Sequence, residues 1–252
     1  MGDAASAHTR IDPIELDGTT TLFLPASVSR KAVPVYFTLS EKNAVVTATG
    51  SRGSVALKSG DSLDLTALCE GTDDTITLRA RSGSMQAEKR VTFLGYDNVS
   101  TMFLVSDDPV NEGREWVESS EDKSNKAKGS MALLAADGES VYDGKLTQIK
   151  GRGNSTWKGA KRPYQIKLDK KTDLLQTGDS ADKAKTWVLL ANFYDPSAVR
   201  NMLALDLGRA LQMECNMGYR PVCLFYDGEF RGLYLLTEKV EVNEGRVDVT
   251  DL

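Results

Sequence analysis

Lys145-Leu146-Thr147-Gln148-Ile149-Lys150 leads into Gly151-Arg152-Gly153-Asn154-Ser155-Thr156-Trp157, passes through Lys158-Gly159-Ala160-Lys161-Arg162-Pro163 and reaches Tyr164-Gln165-Ile166-Lys167-Leu168. The outer stretches have the composition and period of strands, and the glycine-rich run between them has no helical spacing of apolar residues. A strand, a glycine loop and a second strand therefore form the centre of this half of the chain. The glycines permit positive φ and let backbone N–H groups face outward, while the crowded Lys and Arg favour an anion nearby. There is no Gly-Lys-Ser/Thr ending and no strand-to-helix context, so this is not a P-loop. It reads either as a phosphate cradle, with Arg152, Gly153, Asn154 and Lys161 toward the anion, or as an ordinary glycine turn.

Working outward, Asp137-Gly138 and Asp227-Gly228 each favour the tight primed turn of a hairpin. They join Met131–Leu134 to Ser140–Tyr142 and Val222–Tyr226 to Leu233–Leu236, and Trp187–Leu190 continues the sheet. One segment is plainly helical: Asp195 is the expected N-cap and Pro196 the first helical position, with Val199, Met202, Leu203, Leu207, Ala210 and Leu211 forming an apolar face. Asn111–Lys128, charged and poor in apolar residues, reads as a solvated loop. Earlier in the chain, short alternating runs from Thr20 to Tyr96 are punctuated by Ser51-Arg52-Gly53, Ser59-Gly60-Asp61 and Ser82-Gly83-Ser84, the signature of an antiparallel sandwich without helices. The expected fold is mainly β with one prominent helix: a disordered leader (1–19), an immunoglobulin-like antiparallel β-sandwich (20–96), and an α+β second half (97–252).

The 252 residues suffice for two cores, and no apolar run is long enough to cross a bilayer as a helix. With 31 Lys+Arg against 36 Asp+Glu the net charge is −5, so bulk charge draws the chain to neither nucleic acid nor anionic lipid. Met1-Gly2 reads as an initiator set before a mature polypeptide. Cys69, Cys215 and Cys223 are an odd count without Cys-x-x-Cys, which indicates no zinc site; a Cys215–Cys223 bridge is conceivable and buried free thiols are the favoured reading. The sole histidine, His8, leaves no Ser-His-Asp or Cys-His arrangement and no histidine metal site. Trp157 and Trp187 read as core or loop anchors.

Tyr164-Gln165-Ile166-Lys167 has the form of a kinase third strand, whose lysine reaches nucleotide phosphates and is held by an acid on a nearby helix. Asp206 falls on the apolar stripe of the predicted helix, where a carboxylate is costly unless paired. It either pairs with Lys167 or sits at the stripe's edge and reaches water. Glu238, closing an apolar strand, is either a hinge-side nucleotide contact or the first solvated residue after a core strand; we favour the second.

Five blocks in order resemble the CotH (spore coat protein H) kinase family: Lys150–Trp157; Lys161–Leu168; Lys185–Asn192; Asp195–Asn201; and Gly228–Glu238. The resemblance covers roughly residues 100–252. It implies a kinase-like N-terminal lobe, a sheet plus helix, that binds ATP with Mg or Mn and belongs to a protein phosphorylating secreted or coat proteins at the cell surface or on spores. It also implies that the Arg152 loop, Lys161 and Lys167 face the nucleotide. The family's catalytic and metal-binding aspartates lie further on, in a C-terminal lobe, so none is expected within this chain, nor a metal site, nor turnover by this chain alone. A second reading is a non-catalytic adhesion or carbohydrate-binding surface protein that uses the sheet as scaffold; a third makes both halves tandem sandwiches with no site.

Overall fold

The computed structural model describes residues 10–70, 74–178, 182–213 and 216–242. His8, Cys215, with its suggested bridge to Cys223, and the carboxyl-terminal Asp251-Leu252 lie outside them. The chain divides into two compact units, 11–98 and one running from Val99 onward. Mainly β structure is observed in both.

In the first unit, β1 (Ile14–Leu16), β2 (Thr19–Pro25), β4 (Val45–Thr49), β5 (Ser54–Leu57), β7 (Asp74–Ser82) and β8 (Met85–Tyr96) form one sheet in the order β1-β2-β8-β7-β4-β5. Residues Ile14–Leu16, expected within a disordered leader, are thus an edge strand paired with β2. A short ladder of β3 (Val33–Pro34) with β6 (Ser62–Leu63), and the single helical turn α1 (Leu65–Leu68), supply Val33, Leu63, Leu65 and Leu68 to a core shared with Val46, Ala48, Ile76, Val91 and Phe93. Two expectations change. β2 and β8 run parallel, so the sheet is not wholly antiparallel. The stretch, expected to be without helices, also holds the helical turn α1, because the Asp64 carboxylate accepts from the Ala67 amide at 3.0 Å and from the Thr66 hydroxyl at 2.6 Å and so caps it.

The second unit is a closed barrel of β9 (Ser100–Ser106), β10 (Lys126–Leu134), β11 (Ser140–Gly151), β12 (Tyr164–Thr172), β13 (Ala184–Leu190), β14 (Tyr219–Tyr226) and β15 (Glu229–Glu238), in the order β10-β11-β12-β13-β15-β14-β9. Both expected hairpins are present, with Leu134 opposite Ser140 and Tyr226 opposite Glu229. Asp227 and Gly228 have φ of 50° and 89°, the two left-handed positions of a primed turn, whereas at Asp137-Gly138 only the glycine is left-handed, at 90°, and the connection is a longer loop closed by Ala135 N–H to Glu139 O at 2.8 Å. The sheet is closed into a barrel by a parallel pairing of β14 with β9. Alternate residues point inward, Ile149, Tyr164, Ile166, Leu168, Trp187, Leu189, Leu224, Tyr226, Tyr234 and Leu236 among them, and fill the barrel as side chains must in one this narrow.

The charged segment expected to be a solvated loop contains α2 (Arg114–Ser119), whose Val117 is fully buried in the barrel core. One long helix, α3 (Arg200–Ala210), is present, but it starts later than predicted. Asp195 and Pro196 form a turn closed by Ala198 N–H to Asp195 O at 3.0 Å, and the Asp195 carboxylate caps the helix from outside by accepting the Arg200 amide at 2.8 Å. Its apolar stripe faces solvent: Leu203, Leu207 and Leu211 are 63%, 60% and 65% exposed. Apolar residues occur on both sides of α3, and Met202, Leu205 and Gly208 are the ones turned toward the protein. No described helix is long and apolar enough to cross a membrane.

Candidate functional site

Antiparallel alternation brings the β11–β12 connection (152–163), the segment after β13 (191–199) and the β14–β15 turn to one end of the barrel. Two constructions stand side by side there, a sealed ionic cluster and an open cavity.

The seal is built on Glu118 of α2. Its carboxylate accepts from the Tyr164 hydroxyl and, at 2.9 Å, from Arg114 Nη1, with Arg231 Nη2 at 3.5 Å. Arg114 Nη2 donates to Glu229 Oε2 at 2.8 Å, and Arg231 Nη1 pairs with the other Glu229 oxygen. Burial, with the neighbouring Tyr234 and Glu118, drives the Tyr164 phenol far above its usual range. Tyr164 stacks on Tyr234 at 6.0 Å and meets Tyr226 edge-on at 5.5 Å, and Tyr234 Oη donates to Arg162 O at 2.9 Å. Arg162 donates to the Glu118 carbonyl and lies 4.8 Å over the Trp157 ring, whose Nε1 donates to Ser120 O at 2.9 Å. The Glu118 and Glu229 carboxylates are met by Arg114 and Arg231, so these charges are spent on one another in closing this end of the barrel.

The cavity, about 290 Å³, is floored by Pro163, Leu190 and Ala191 and walled by Arg152 and Thr156 on one side and the 192–201 turn on the other. Arg152 is half buried, and burial alone pulls its guanidinium below the ordinary value; among the described residues no carboxylate pairs with it. Gly153, at φ 80°, makes the bend that swings the chain away after Arg152, and Asn154 precedes a 3₁₀ turn at Ser155–Lys158.

The other predicted residues do not meet in this cavity. Lys167 lies four residues along β12 from Pro163, about 13 Å at 3.3 Å per residue, on the outward face, and its ammonium is solvent-exposed. Asp206 accepts from Arg209 Nη1 at 3.0 Å and from Tyr219 Oη at 2.8 Å, not from Lys167. The proposed pairing is therefore not formed: Lys167 is exposed on β12, and Asp206 is held by Arg209 and Tyr219. Lys161 donates to the Leu233 carbonyl and sits 4.7 Å over the Tyr234 ring, where burial lowers its basicity. Glu238, favoured as a solvated residue, is buried, and its Oε2 accepts the Gly218 amide at 3.0 Å. No cluster of three or more metal-ligating side chains occurs among the described residues.

Sequence reasoning placed a helix start at Asp195-Pro196 and so missed residues 192–201 as a cavity wall. Left-handed Asn192 and Ala198, at φ 50° and 57°, are invisible to helical periodicity. The signal that could have found them is the density of Asn and Asp in a turn.

The model of a family described as CotH kinase protein matches residues 149–251. That stretch contains β12 through β15, α3 and both walls of the cavity. No curated protein matches the chain.

Proposed function

With residues 149–251 matching the CotH kinase protein family as the premise, we propose that this chain supplies the nucleotide-binding portion of a secreted or cell-surface CotH-type phosphotransferase. The whole protein would move phosphate from ATP, with Mg²⁺ or Mn²⁺, to secreted or coat proteins. The observation that carries the reading is Arg152, a half-buried guanidinium that no carboxylate opposes among the described residues, at the edge of a cavity with an apolar floor. A buried cation is costly unless paired, and an anionic ligand supplies the missing partner. Phosphoryl transfer is largely positioning and charge stabilisation, and an arginine at the phosphates contributes to both.

Isothermal titration of the chain with ATP, with and without Mg²⁺ or Mn²⁺, tests this. Binding that weakens on Arg152→Gln supports the reading; heat-silent titrations at millimolar ATP remove it. A second reading, a non-catalytic adhesion or carbohydrate-binding protein, is favoured by one observation: Lys167 and Asp206 do not form the lysine–acid pair of a kinase. Retention of a glycan by the chain, together with silence toward ATP, would select it.

A further inference from the structure

The wall of the cavity opposite Arg152 is more than a helix entrance. The Asp195 carboxylate accepts from the Ser197 hydroxyl at 2.5 Å, from the Ser197 amide at 3.2 Å and from the Arg200 amide at 2.8 Å. It is committed to shaping its own turn. Asn192 is committed too: its Oδ1 accepts from Asn201 Nδ2 at 2.7 Å, and its Nδ2 donates to Ala198 O at 3.2 Å. These bonds fix where Arg200 and Asn201 enter the cavity lining. Arg200 itself is held loosely, with Nε 3.7 Å from Asp195 Oδ1 and a side chain 75% exposed. It can turn to a ligand without breaking a strong contact.

Two guanidinium groups thus flank a hollow whose one carboxylate is already saturated by donors. Along the rim, Phe193 packs so closely on Gly159 that a Cβ there would lie 2.8 Å from its ring, and Tyr194 Oη reaches Ser155 O at 3.4 Å. These contacts clasp the two connections together and leave Tyr194 as an exposed aromatic face beside the cations. Positive charge on two sides, an apolar floor and an aromatic rim suit a phosphate chain attached to a flat ring.

We propose that Arg200 is the second phosphate contact of this site, acting with Arg152 across the cavity, and that Tyr194 is the surface on which the ring lies. The proposal rests on the nucleotide reading above and assigns the phosphates to the 192–201 turn instead of to a lysine of β12.

The test compares Kd for ATP, adenosine and tripolyphosphate across the wild-type chain and five variants, Arg200→Gln, Tyr194→Ala, Lys170→Ala, Lys167→Ala and Arg152→Gln. Arg200→Gln should weaken ATP and tripolyphosphate alike by about tenfold, the loss expected for one hydrogen bond to a charged group, and leave adenosine unchanged. Tyr194→Ala should weaken ATP and adenosine and spare tripolyphosphate. Lys170→Ala, a change of equal charge on the exposed part of β12, should alter none of them. Because Arg200 is exposed, its replacement leaves the fold intact, which unchanged circular dichroism would verify.

ATP binding that is indifferent to Arg200→Gln overturns the proposal and leaves the nucleotide reading standing. A loss on Lys167→Ala as large as that on Arg152→Gln also overturns it, returning the phosphates to the strand lysine. Tripolyphosphate binding that needs both arginines, without any binding of ATP, keeps the anion site and removes the nucleotide reading. A chain that binds neither anion removes the site.

Discussion

Gly151→Ala separates the structural from the ligand-binding meaning of the glycine-rich loop. Gly151 ends β11 with an ordinary backbone, so φ does not require glycine there. What requires it is Trp157: a Cβ on residue 151 would lie 2.3–2.6 Å from three atoms of the indole ring. The indole cannot move away cheaply, since Nε1 donates to Ser120 O at 2.9 Å and Arg162 covers the ring at 4.8 Å. Overpacking of this kind costs about 1–3 kcal/mol, and loosening the indole hydrogen bond adds to it, so about 2–3 kcal/mol is expected. For a unit of this size, that corresponds to a fall in Tm of about 4–10 °C. Differential scanning calorimetry measures the fall, and near-ultraviolet circular dichroism of Trp157 should lose intensity in parallel. A variant with wild-type Tm and spectrum but abolished ATP binding would refute the reasoning, since the glycine would then serve the approach of a ligand.

Removing the carboxylate at the centre of the seal, Glu118→Ala, leaves Arg114, Arg231 and the Tyr164 hydroxyl short of a partner and should destabilise the barrel unit by about 3–5 kcal/mol, measurable by urea unfolding. Asp206→Ala should change ATP affinity by less than about twofold, because its partners are Arg209 and Tyr219 and an exposed pair of this type contributes little; a tenfold loss by titration would restore the Lys167 pairing. The Asp122 carboxyl is held at about 2 by hydrogen bonds from Ser120 and Ser124. Since that value lies below its unfolded one near 3.9, its contribution is complete above about pH 4 and is lost as pH falls through about 2. Tm measured between pH 2 and 5 should therefore fall less steeply in Asp122→Asn than in the wild type.

Features set by neighbours along the chain were legible in the sequence. Asp137-Gly138 and Asp227-Gly228 both announce their hairpins, but only Asp227-Gly228 has the two adjacent left-handed residues of a primed turn; at the first connection Gly138 alone is left-handed. Alternation marks β12, since Tyr164, Ile166 and Leu168 all face the core. Features set by distant contacts were not legible. The parallel pairing of β14 with β9 joins residues such as Val222 and Ser100, and nothing local distinguishes a strand that closes a barrel from one that ends a sheet. Val117 and Glu118 belong to a segment that composition makes a solvated loop, and only the barrel end they enter makes them core and ion-pair partners. The period of α3 was readable, but which stripe is covered depends on the elements around it.

The same distinction bears on the site. The quoted blocks contain two populations that a sequence cannot tell apart, because both are rich in Arg, Lys, Tyr and Asn. Arg162, Tyr164, Arg231 and Tyr234 belong to the seal, where they bond to Glu118, to Glu229 or to one another. Arg152, Asn192, Arg200 and Asn201 line the cavity, where, among the described residues, no carboxylate pairs with Arg152. Yet the two are mechanically joined, since Arg162 lies on the same β11–β12 connection as Arg152, and Arg152 N–H donates to Pro163 O at 3.2 Å next to it. Anchoring Arg162 on Glu118 and Trp157 therefore also fixes the backbone from which Arg152 projects. A residue of the seal can thus be indispensable to binding without touching a ligand, and its substitution should move stability and affinity together, whereas Arg200→Gln moves affinity alone.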